Sequence, residues 1–294
     1  MTCLCLGKIL KRKKVEKLRV NYEKFVREVV NNPNGTTLLS KEEQEVLAEY
    51  PFAPLISVIC DQQIKWEYAC KIPRLFLNKI GSLEPDAILK VGVDGIKEIL
   101  KSYFDSGYGK FPRRMKNKDR EKWLKNVSEW IIGALKYFKD KKTNPIKIFT
   151  KKEKYTAIEV YFTLRDINGI GTKKASMVVR DFIYCSKGLV KDNPWFNQIR
   201  KISPNFEVID DSYTLVPVDV QVKKVFRRVF RNILNKEWEY DDIQLLARYI
   251  FPEFPAKIDS LFHSVGRKYC KDRKPNCSEC PLGDICDYAL SLTR

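Results

Sequence analysis

Four cysteines lie within seventeen residues near the C-terminal end of the chain, in the order Cys270-x6-Cys277-x2-Cys280-x5-Cys286. Thiolates this close in sequence can converge on one metal centre. Zinc sites usually contain two tight C-x2-C pairs, whereas only one pair is tight here. Iron–sulfur clusters accept less regular spacings. The spacing therefore predicts a 4Fe–4S cluster, with zinc as the alternative and two disulfide bonds as a weaker one.

The composition limits the class of protein. The chain has 294 residues, of which 44% are hydrophobic, a fraction typical of a folded globular protein. Lys and Arg number 55 against 37 Asp and Glu, giving a formal net charge of +18. This surplus favours a polyanionic partner, nucleic acid before an acidic membrane surface, and a merely basic soluble protein is the alternative. No segment approaches the about 20 apolar residues of a membrane-spanning helix.

Other features favour an intracellular, prokaryotic protein. The apolar start MTCLCLGKIL precedes the charges at 11–14, the reverse of the order in a secretory signal. An odd number of cysteines outside the cluster fits a reducing compartment. These are Cys3, Cys5, Cys60, Cys70 and Cys185. Many Lys, Glu and Ile residues with a single histidine are typical of thermophiles. We therefore expect a cytoplasmic or nucleoid location.

Helical periodicity dominates the chain, and no convincing strand pattern or internal repeat is present. Apolar residues recur at helical spacing in 15–30, 120–138, 218–234 and 241–250. Ser40 to Glu43 forms a capping box that opens a further helix. The apolar run at 55–59 continues through Trp66 and predicts one buried helix. With a basic, aromatic loop at 106–120 and an irregular segment at 185–216, the predicted fold is all-α.

Two glycines, in Gly169-Ile170-Gly171, separate two helical segments. Leu164 and Ile167 end the first, and Ala175 lies on the inner face of the second. The glycines permit a sharp turn and leave backbone amides uncovered at a helix N-terminus, which attracts phosphate. The pattern predicts a helix–hairpin–helix that binds the DNA backbone without reading bases. An ordinary packed corner between two helices is the alternative.

The hairpin, the downstream Val218-Asp219 and the cysteine spacing together resemble the endonuclease III superfamily of DNA glycosylases. The resemblance covers roughly residues 50–290, and Gly266 to Cys270 also matches the family's approach to the first cluster ligand. It implies two helical lobes with a DNA-binding cleft between them. One lobe would contain 41–184, ending in the hairpin, and the other 1–40 with 185–294 and the iron–sulfur loop.

The resemblance also implies a catalytic pair. Lys173 matches the nucleophile of the bifunctional members, and Asp219 matches the aspartate that opens a later helix. Such a lysine attacks C1′ of the damaged nucleotide and forms a Schiff base, after which β-elimination nicks the strand. Asp219 would stabilise positive charge on the sugar. Lys174 is the competing nucleophile. A monofunctional glycosylase that uses Asp219 alone, or a non-catalytic iron–sulfur DNA-binding protein, is the alternative function.

Further residues are implied to contact DNA. Gln63 matches the glutamine that fills the gap left by a flipped base, with Gln62 as the alternative by one position. The other expected contacts lie in the hairpin and in the loop between the first two cluster cysteines: Gly169, Gly171, Lys174, Lys271, Arg273 and Lys274. We therefore expect a monomer whose partner is double-stranded DNA with a damaged base or an abasic site, and no membrane partner.

Two features depart from the family pattern. Between Lys173 and Asp219 lie 45 residues, more than compact members need, so 185–216 is interpreted as an insertion. Its aromatic residues either shape a lesion pocket or pack a surface lobe; they are Trp195, Phe196, Phe206 and Tyr213. Gln221 stands where many relatives have histidine. The family suggests oxidised pyrimidines as the first expected lesions.

Overall fold

The computed structural model describes residues 12–31, 39–233 and 237–292. Cys3 and Cys5, two of the cysteines outside the C-terminal cluster, lie outside these ranges. The helices in chain order are α1 (Arg12–Asn31), α2 (Lys41–Glu49), α3 (Ala53–Cys60), α4 (Trp66–Ile80), α5 (Pro85–Asp105), α6 (Asn117–Asp140), α7 (Ala157–Arg165), α8 (Thr172–Ser186), α9 (Pro194–Ile202), α10 (Val220–Val229), α11 (Tyr240–Ile250), α12 (Ile258–Lys268) and α13 (Asp287–Ser291). The predicted all-α fold is confirmed.

Strands are short in the described ranges. β1 (Lys154–Thr156) and β2 (Glu207–Ile209) form a two-stranded parallel pair, with Tyr155 opposite Val208. The sequence pattern did not predict them, because three residues are too few for a recognisable alternation. Within the described ranges, no helix is long and apolar enough to cross a membrane.

The chain divides into two compact units, 36–209 and 1–35 together with 210–294. The predicted division placed 185–209 with the cysteine loop, whereas the structure places this segment in the larger unit. β2 pairs with β1, and Trp195 of α9 donates through Nε1 to the carbonyl of Pro145 at 3.0 Å. The segment is therefore tied to the larger unit through backbone pairing and burial.

Local signals account for several helix boundaries. Ser40 caps α2 as predicted: its Oγ accepts from the Glu43 amide at 3.3 Å, and Glu43 accepts from the Ser40 amide at 2.8 Å. The single helix predicted from residue 55 through Trp66 is instead two helices, α3 and α4. Gln63 has a left-handed φ of 61°, which cannot continue an α-helix. The break exposes Gln63, and residues 61–63 become part of the candidate site.

The smaller unit is assembled around aromatic residues of α10 and α12. The rings of Phe226 and Phe262 lie 4.6 Å apart, and Phe230 and Trp238 complete the buried cluster. Burial of such side chains stabilises the packing by roughly 2–3 kcal/mol each. The packing fixes the first turn of α10 against α12.

Candidate active site

The hairpin between α7 and α8 depends on Gly169. Its φ is +84°, and a Cβ at this position would lie 2.7 Å from Trp130 Cβ and 3.2 Å from Ile59 Cγ2. Only glycine meets both the conformational and the steric requirement. Gly171 is different, because its φ of −81° suits any residue and a Cβ there would meet nothing closer than 3.7 Å. One of the two predicted glycines is therefore required by the backbone.

Gly171 is the N-cap of α8 and provides no side-chain cap. The first helical hydrogen bond runs from the Ala175 amide to the Gly171 carbonyl at 3.0 Å. The preceding amides of Thr172, Lys173 and Lys174 therefore make no bond to their own helix. With the positive end of the helix dipole, these amides can bind an anionic phosphate oxygen.

Lys174 is buried beneath the hairpin and is only 6% exposed. Its Nζ donates to the carbonyls of Ile59 at 2.6 Å and Gly169 at 3.0 Å, and lies 5.2 Å from the centre of the Trp130 ring. Burial lowers the pKa of Lys174 to about 8, and the charge of Lys173 contributes a smaller decrease. This location does not fit the predicted contact with DNA, because the ammonium group is committed to the protein's own backbone.

Lys173 precedes Lys174 in α8 and, unlike it, is accessible to solvent. Its side chain is 42% exposed, and its Nζ lies 3.9 Å from Oδ2 of Asp61, whose side chain is 12% exposed. Asp61 directly follows α3. Sequence reasoning missed this carboxylate because the predicted helix ran through it. The available signal was the position of Asp61, a charged residue that directly follows the apolar run at 55–60 and could have marked the end of the helix.

Gln63 and Gln62 follow Asp61 and differ in accessibility. Gln63 is exposed and has the left-handed φ of 61°, whereas Gln62 is half-buried and its carbonyl accepts a hydrogen bond from Trp123 Nε1. A non-glycine residue in this conformation costs roughly 1–2 kcal/mol, and such strain is concentrated at functional sites. The structure thus presents the Gln63 side chain to solvent beside Asp61.

The 106–120 loop packs against Trp123, the residue that donates to the Gln62 carbonyl. Phe111 stacks on Phe104 with ring centres 3.9 Å apart, and both rings meet the edge or face of Trp123 at 5.3–5.4 Å. Tyr108 is 76% exposed. The loop ends at Lys116, because α6 begins at Asn117. Its aromatic residues therefore divide between packing beneath Gln62 and exposure to solvent.

Asp219 caps α10 in the smaller unit. Its Oδ1 accepts from the Val222 amide at 2.7 Å, as expected for an N-cap aspartate. Its Oδ2 lies 3.5 Å from Nε2 of His263 on α12. His263 is the only histidine of the chain. Sequence reasoning did not assign it a role, since nothing in the spacing connects it with Asp219.

The four cysteines lie on the segment from the end of α12 to the start of α13. Cys270 and Cys286 are buried, and Cys277 and Cys280 are half-buried. Burial and the neighbouring thiols raise the pKa of Cys280 to about 11. At Gly283 a Cβ would meet the Cys277 carbonyl at 2.6 Å, so the chain turns closely around this segment.

The donor set is chemically suited to iron or zinc, because four thiols whose charges influence one another lie on one short loop. In the part of the chain that the structure describes, no three His, Cys, Asp or Glu side chains are gathered closely enough to hold a metal ion.

Arg228 of α10 braces the first part of the cysteine loop. Its Nη1 donates to Cys270 Sγ at 3.1 Å and to the Lys271 carbonyl at 2.8 Å, and its Nη2 donates to the Asp272 carbonyl at 3.1 Å. The predicted DNA-contacting cations of this loop are all exposed: Lys271, Arg273 and Lys274. Lys271 Nζ also donates to the carbonyl of Arg267.

The aromatic residues of the 185–216 segment mostly pack the larger unit. Trp195, Phe196 and Phe206 are each at most 2% exposed, and all three rings meet Phe182 within 6.0 Å. Tyr213 is 58% exposed. The observed packing favours the lobe interpretation over the lesion-pocket interpretation for the three buried rings.

Comparison with known proteins supports the resemblance to endonuclease III. Endonuclease III of Sulfolobus acidocaldarius is 23% identical over 243 residues, covering 81% of this chain and 82% of that relative. No protein-family model matches the chain. The identity is low, but the aligned region includes most of both proteins.

Solved structures show the same fold. An endonuclease III–DNA covalent intermediate, trapped as an estranged-adenine complex, superposes with a TM-score of 0.56 at 16% identity, covering 95% of this chain and 99% of the other. A non-covalent endonuclease III–DNA complex gives 0.56 at 15% identity and covers 95% and 98%. A thermostable thymine-DNA glycosylase gives 0.50 at 14% identity and covers 93% and 98%. The resemblance predicted from the motifs is therefore confirmed, and the chain shares the fold of these endonuclease III structures.

Proposed function

We propose that this protein is a DNA glycosylase of the endonuclease III type with an associated AP-lyase activity. One observation carries the proposal: the two adjacent lysines of the hairpin occupy opposite environments. Lys173 is accessible beside Asp61, whereas Lys174 is buried and bonded to two carbonyls. Only the first can reach a nucleotide without breaking the packing beneath the hairpin.

In the proposed reaction, Lys173 first loses its proton, and Asp61 is positioned to accept it. The neutral amine attacks C1′ of the damaged nucleotide, and the bond to the base breaks with its electron pair leaving on the base. The base takes up a proton as it departs. The sugar ring opens to a Schiff base, loses a C2′ proton and breaks its C3′–O bond, which nicks the strand.

Asp219 supplies the carboxylate that offsets positive charge developing on the sugar. Its cap bond to Val222 fixes one oxygen and the direction of the side chain. The cap role and the catalytic role are compatible, since the side chain remains 25% exposed. Asp219→Asn separates them, because asparagine caps a helix about as well as aspartate but carries no charge.

DNA is proposed to bind through its backbone first. The amides at the start of α8 bind one phosphate, and Lys271, Arg273 and Lys274 bind others. Gln63 fills the gap left by the flipped nucleotide. Its exposure and its left-handed backbone favour Gln63 over Gln62 in this role. Lys174 acts beneath the hairpin and not on the DNA.

We also propose that Cys270, Cys277, Cys280 and Cys286 hold a 4Fe–4S cluster. The irregular spacing, the close turn at Gly283 and the mutual influence of the thiols support it. Such a cluster, coordinated by four protein thiolates, would serve to hold the loop in shape. We expect a brown, iron-containing protein that absorbs blue light. The Cys277→Ser variant should lose this colour. A colourless protein that contains one zinc ion would contradict the proposal.

Borohydride trapping on duplexes with an abasic site or a damaged base tests the lyase. Wild type should form a covalent adduct, Lys173→Ala and Lys173→Arg should form none, and Lys174→Met should retain it. The arginine variant keeps the charge but lacks the nucleophilic amine. Base release without an adduct would indicate a monofunctional glycosylase. Intact DNA affinity with neither product would indicate a non-catalytic DNA-binding protein.

The lesion is a separate question. Duplexes that each contain one defined lesion, with oxidised pyrimidines first, 8-oxoguanine and mismatched or deaminated bases next, should be compared by single-turnover base release. We expect the largest rate with an oxidised pyrimidine. A larger rate with any other lesion would assign the substrate class without changing the proposed chemistry.

A further inference from the structure

Two helices of the smaller unit approach unusually closely at Gly266. A Cβ on this residue would meet Gln221 Cβ at 2.8 Å and the Gln221 carbonyl oxygen at 3.1 Å. Below this point, Phe226 of α10 and Phe262 of α12 pack with ring centres 4.6 Å apart. The absence of a side chain at Gly266 therefore lets α12 lie against the first turn of α10.

His263 is three residues before Gly266, so both lie on the same face of α12. The close approach brings its Nε2 to 3.5 Å from Oδ2 of Asp219. Oδ1 of the same carboxylate is held by the Val222 amide at 2.7 Å. Each oxygen of Asp219 thus has a different neighbour: one from its own helix and one from α12.

We propose that His263 is a positioning residue for Asp219. It holds the second carboxylate oxygen and fixes the rotation of the carboxylate plane. The inference rests on the proposed function, because Asp219 must act on the sugar for its orientation to matter. Cap bonding alone fixes one oxygen and leaves the plane free to turn about the last side-chain bond.

The accessibility of the pair suits this role. His263 is 40% exposed and Asp219 is 25% exposed, so the carboxylate can meet a substrate while the imidazole supports it from the side. A purely structural histidine contact would be expected in the interior, where it would contribute to packing. Here the adjacent Phe262 supplies the packing, and His263 stays partly exposed beside Asp219.

Single-turnover kinetics test the proposal on a lesion that the wild type processes. We expect His263→Ala to lower the rate of base release and adduct formation about tenfold, because one contact that orients the carboxylate is lost, with unchanged DNA affinity. His263→Gln should restore most of the rate, because its amide N–H can reach a similar place. Ser264→Ala, at the next position of α12, is the matched control and should match wild type.

A double-mutant comparison separates action through Asp219 from any independent effect. In an Asp219→Asn background, adding His263→Ala should change the residual rate less than twofold, since the group that His263 positions has lost its charge. An equal tenfold loss in both backgrounds would overturn the proposal, as would a wild-type rate for His263→Ala or a loss confined to DNA affinity.

A readout without DNA keeps this inference separate from the proposed function. His263 is the only histidine, so a tag-free protein gives one set of imidazole signals in a ¹H–¹⁵N spectrum. Asp219→Asn should move these signals, whereas Ser264→Ala should leave them nearly unchanged. Unmoved signals would disprove the contact. Moved signals in a protein without glycosylase or lyase activity would retain the contact and reject the proposed function.

Discussion

The hairpin that carries Lys173 and the loop that carries the four cysteines are built in opposite ways. The hairpin is shaped by packing: Gly169 lies against Trp130 and Ile59, and Lys174 is bonded beneath it. The cysteine loop, in contrast, exposes most of the residues between its first and third cysteines. Arg228 supports this exposed half by reaching Cys270 and two carbonyls, whereas Leu282 and Ile285 bury the other half in the core of the smaller unit.

This difference teaches how each region can be disturbed. The hairpin owes its shape to the protein's own interior, so substitutions there should act on the stability of the 36–209 unit. The second half of the cysteine loop joins the core of the smaller unit through Leu282 and Ile285. Its first half, 271–279, is mostly exposed, and under the proposed function the shape of that half comes from a bound cluster. Damage to the exposed half of the loop, 271–279, should therefore remain local, whereas damage to the hairpin should spread through the larger unit.

The largest effect is expected for Gly169→Ala. A left-handed φ costs a non-glycine residue roughly 1–2 kcal/mol, and forcing a Cβ against Trp130 adds about 1–3 kcal/mol. We expect a loss of about 4 kcal/mol in the free energy of unfolding, measured by urea denaturation. Gly171→Ala is the matched control and should lose less than about 1 kcal/mol, because its backbone and surroundings accept a Cβ. Equal losses would mean that packing does not shape the hairpin.

Lys174→Met sharpens the comparison through pH. The pKa of Lys174 is about 8 in the folded protein against 10.5 for the free side chain. The unfolded chain therefore binds more protons between pH 8 and 10.5, and the contribution of Lys174 to stability rises with pH across that window. The free-energy difference between wild type and Lys174→Met should move in favour of wild type by about 3 kcal/mol at most.

Denaturation curves of wild type, Lys174→Met and Lys173→Met across this pH range provide the measurement. Lys173→Met keeps the buried Lys174, so its stability should still rise with pH across this window. Subtracting curves in this way removes other groups that titrate in the same range. A flat difference for Lys174→Met would contradict its burial in a charged state below pH 8.

Cys277→Ser tests the other side of the comparison. Loss of one ligand should lower the free energy of local opening in 270–286 by about 2 kcal/mol, while amides of the hairpin keep their protection. Hydrogen exchange, followed by mass spectrometry, measures both regions in one experiment. Ser278→Ala, the adjacent loop position, should change neither. Increased exchange in the hairpin would mean that the loop and the hairpin are not independently supported.

Much of this arrangement was predictable because its signals are local. The capping box at Ser40, the N-cap aspartate at Asp219 and the two-glycine turn each depend on a few neighbouring residues. Helix α9 was missed, although Asn193 and Pro194 form an N-cap and first-turn pair that could have revealed it. Its aromatic residues suggested an irregular segment because their periodicity is masked by neighbouring turns.

The rest was not predictable, because it depends on contacts between distant segments. Adjacent lysines have the same local pattern, and only packing against Ile59 and Trp130 decides that Lys174 is buried and Lys173 exposed. The pairing of His263 with Asp219 likewise follows from the close approach of α12 to α10. Such three-dimensional neighbours leave no mark on sequence spacing.

The smallest effect on stability is expected at Gln63, which lies in neither the hairpin nor the cysteine loop. Gln63→Gly removes left-handed strain of roughly 1 kcal/mol but adds chain entropy to the unfolded state, so the net change should be within about 0.5 kcal/mol. Gln63→Ala keeps the strain and loses only the side chain. Both variants should release a base from a fully paired duplex about tenfold more slowly than wild type, and a mismatched lesion should be less affected.

Gln62→Ala is the matched control, since the Gln62 carbonyl keeps its bond to Trp123 when the side chain is shortened. If Gln63 fills the vacated stack, only its own variants slow excision, and glycine and alanine do so equally. If backbone strain is what matters, Gln63→Gly alone changes the rate. If Gln62→Ala gives the larger loss, the intercalating residue lies one position earlier, on the half-buried side of the segment. The ranking of three variants thus separates side chain, strain and register at a site whose stability hardly changes.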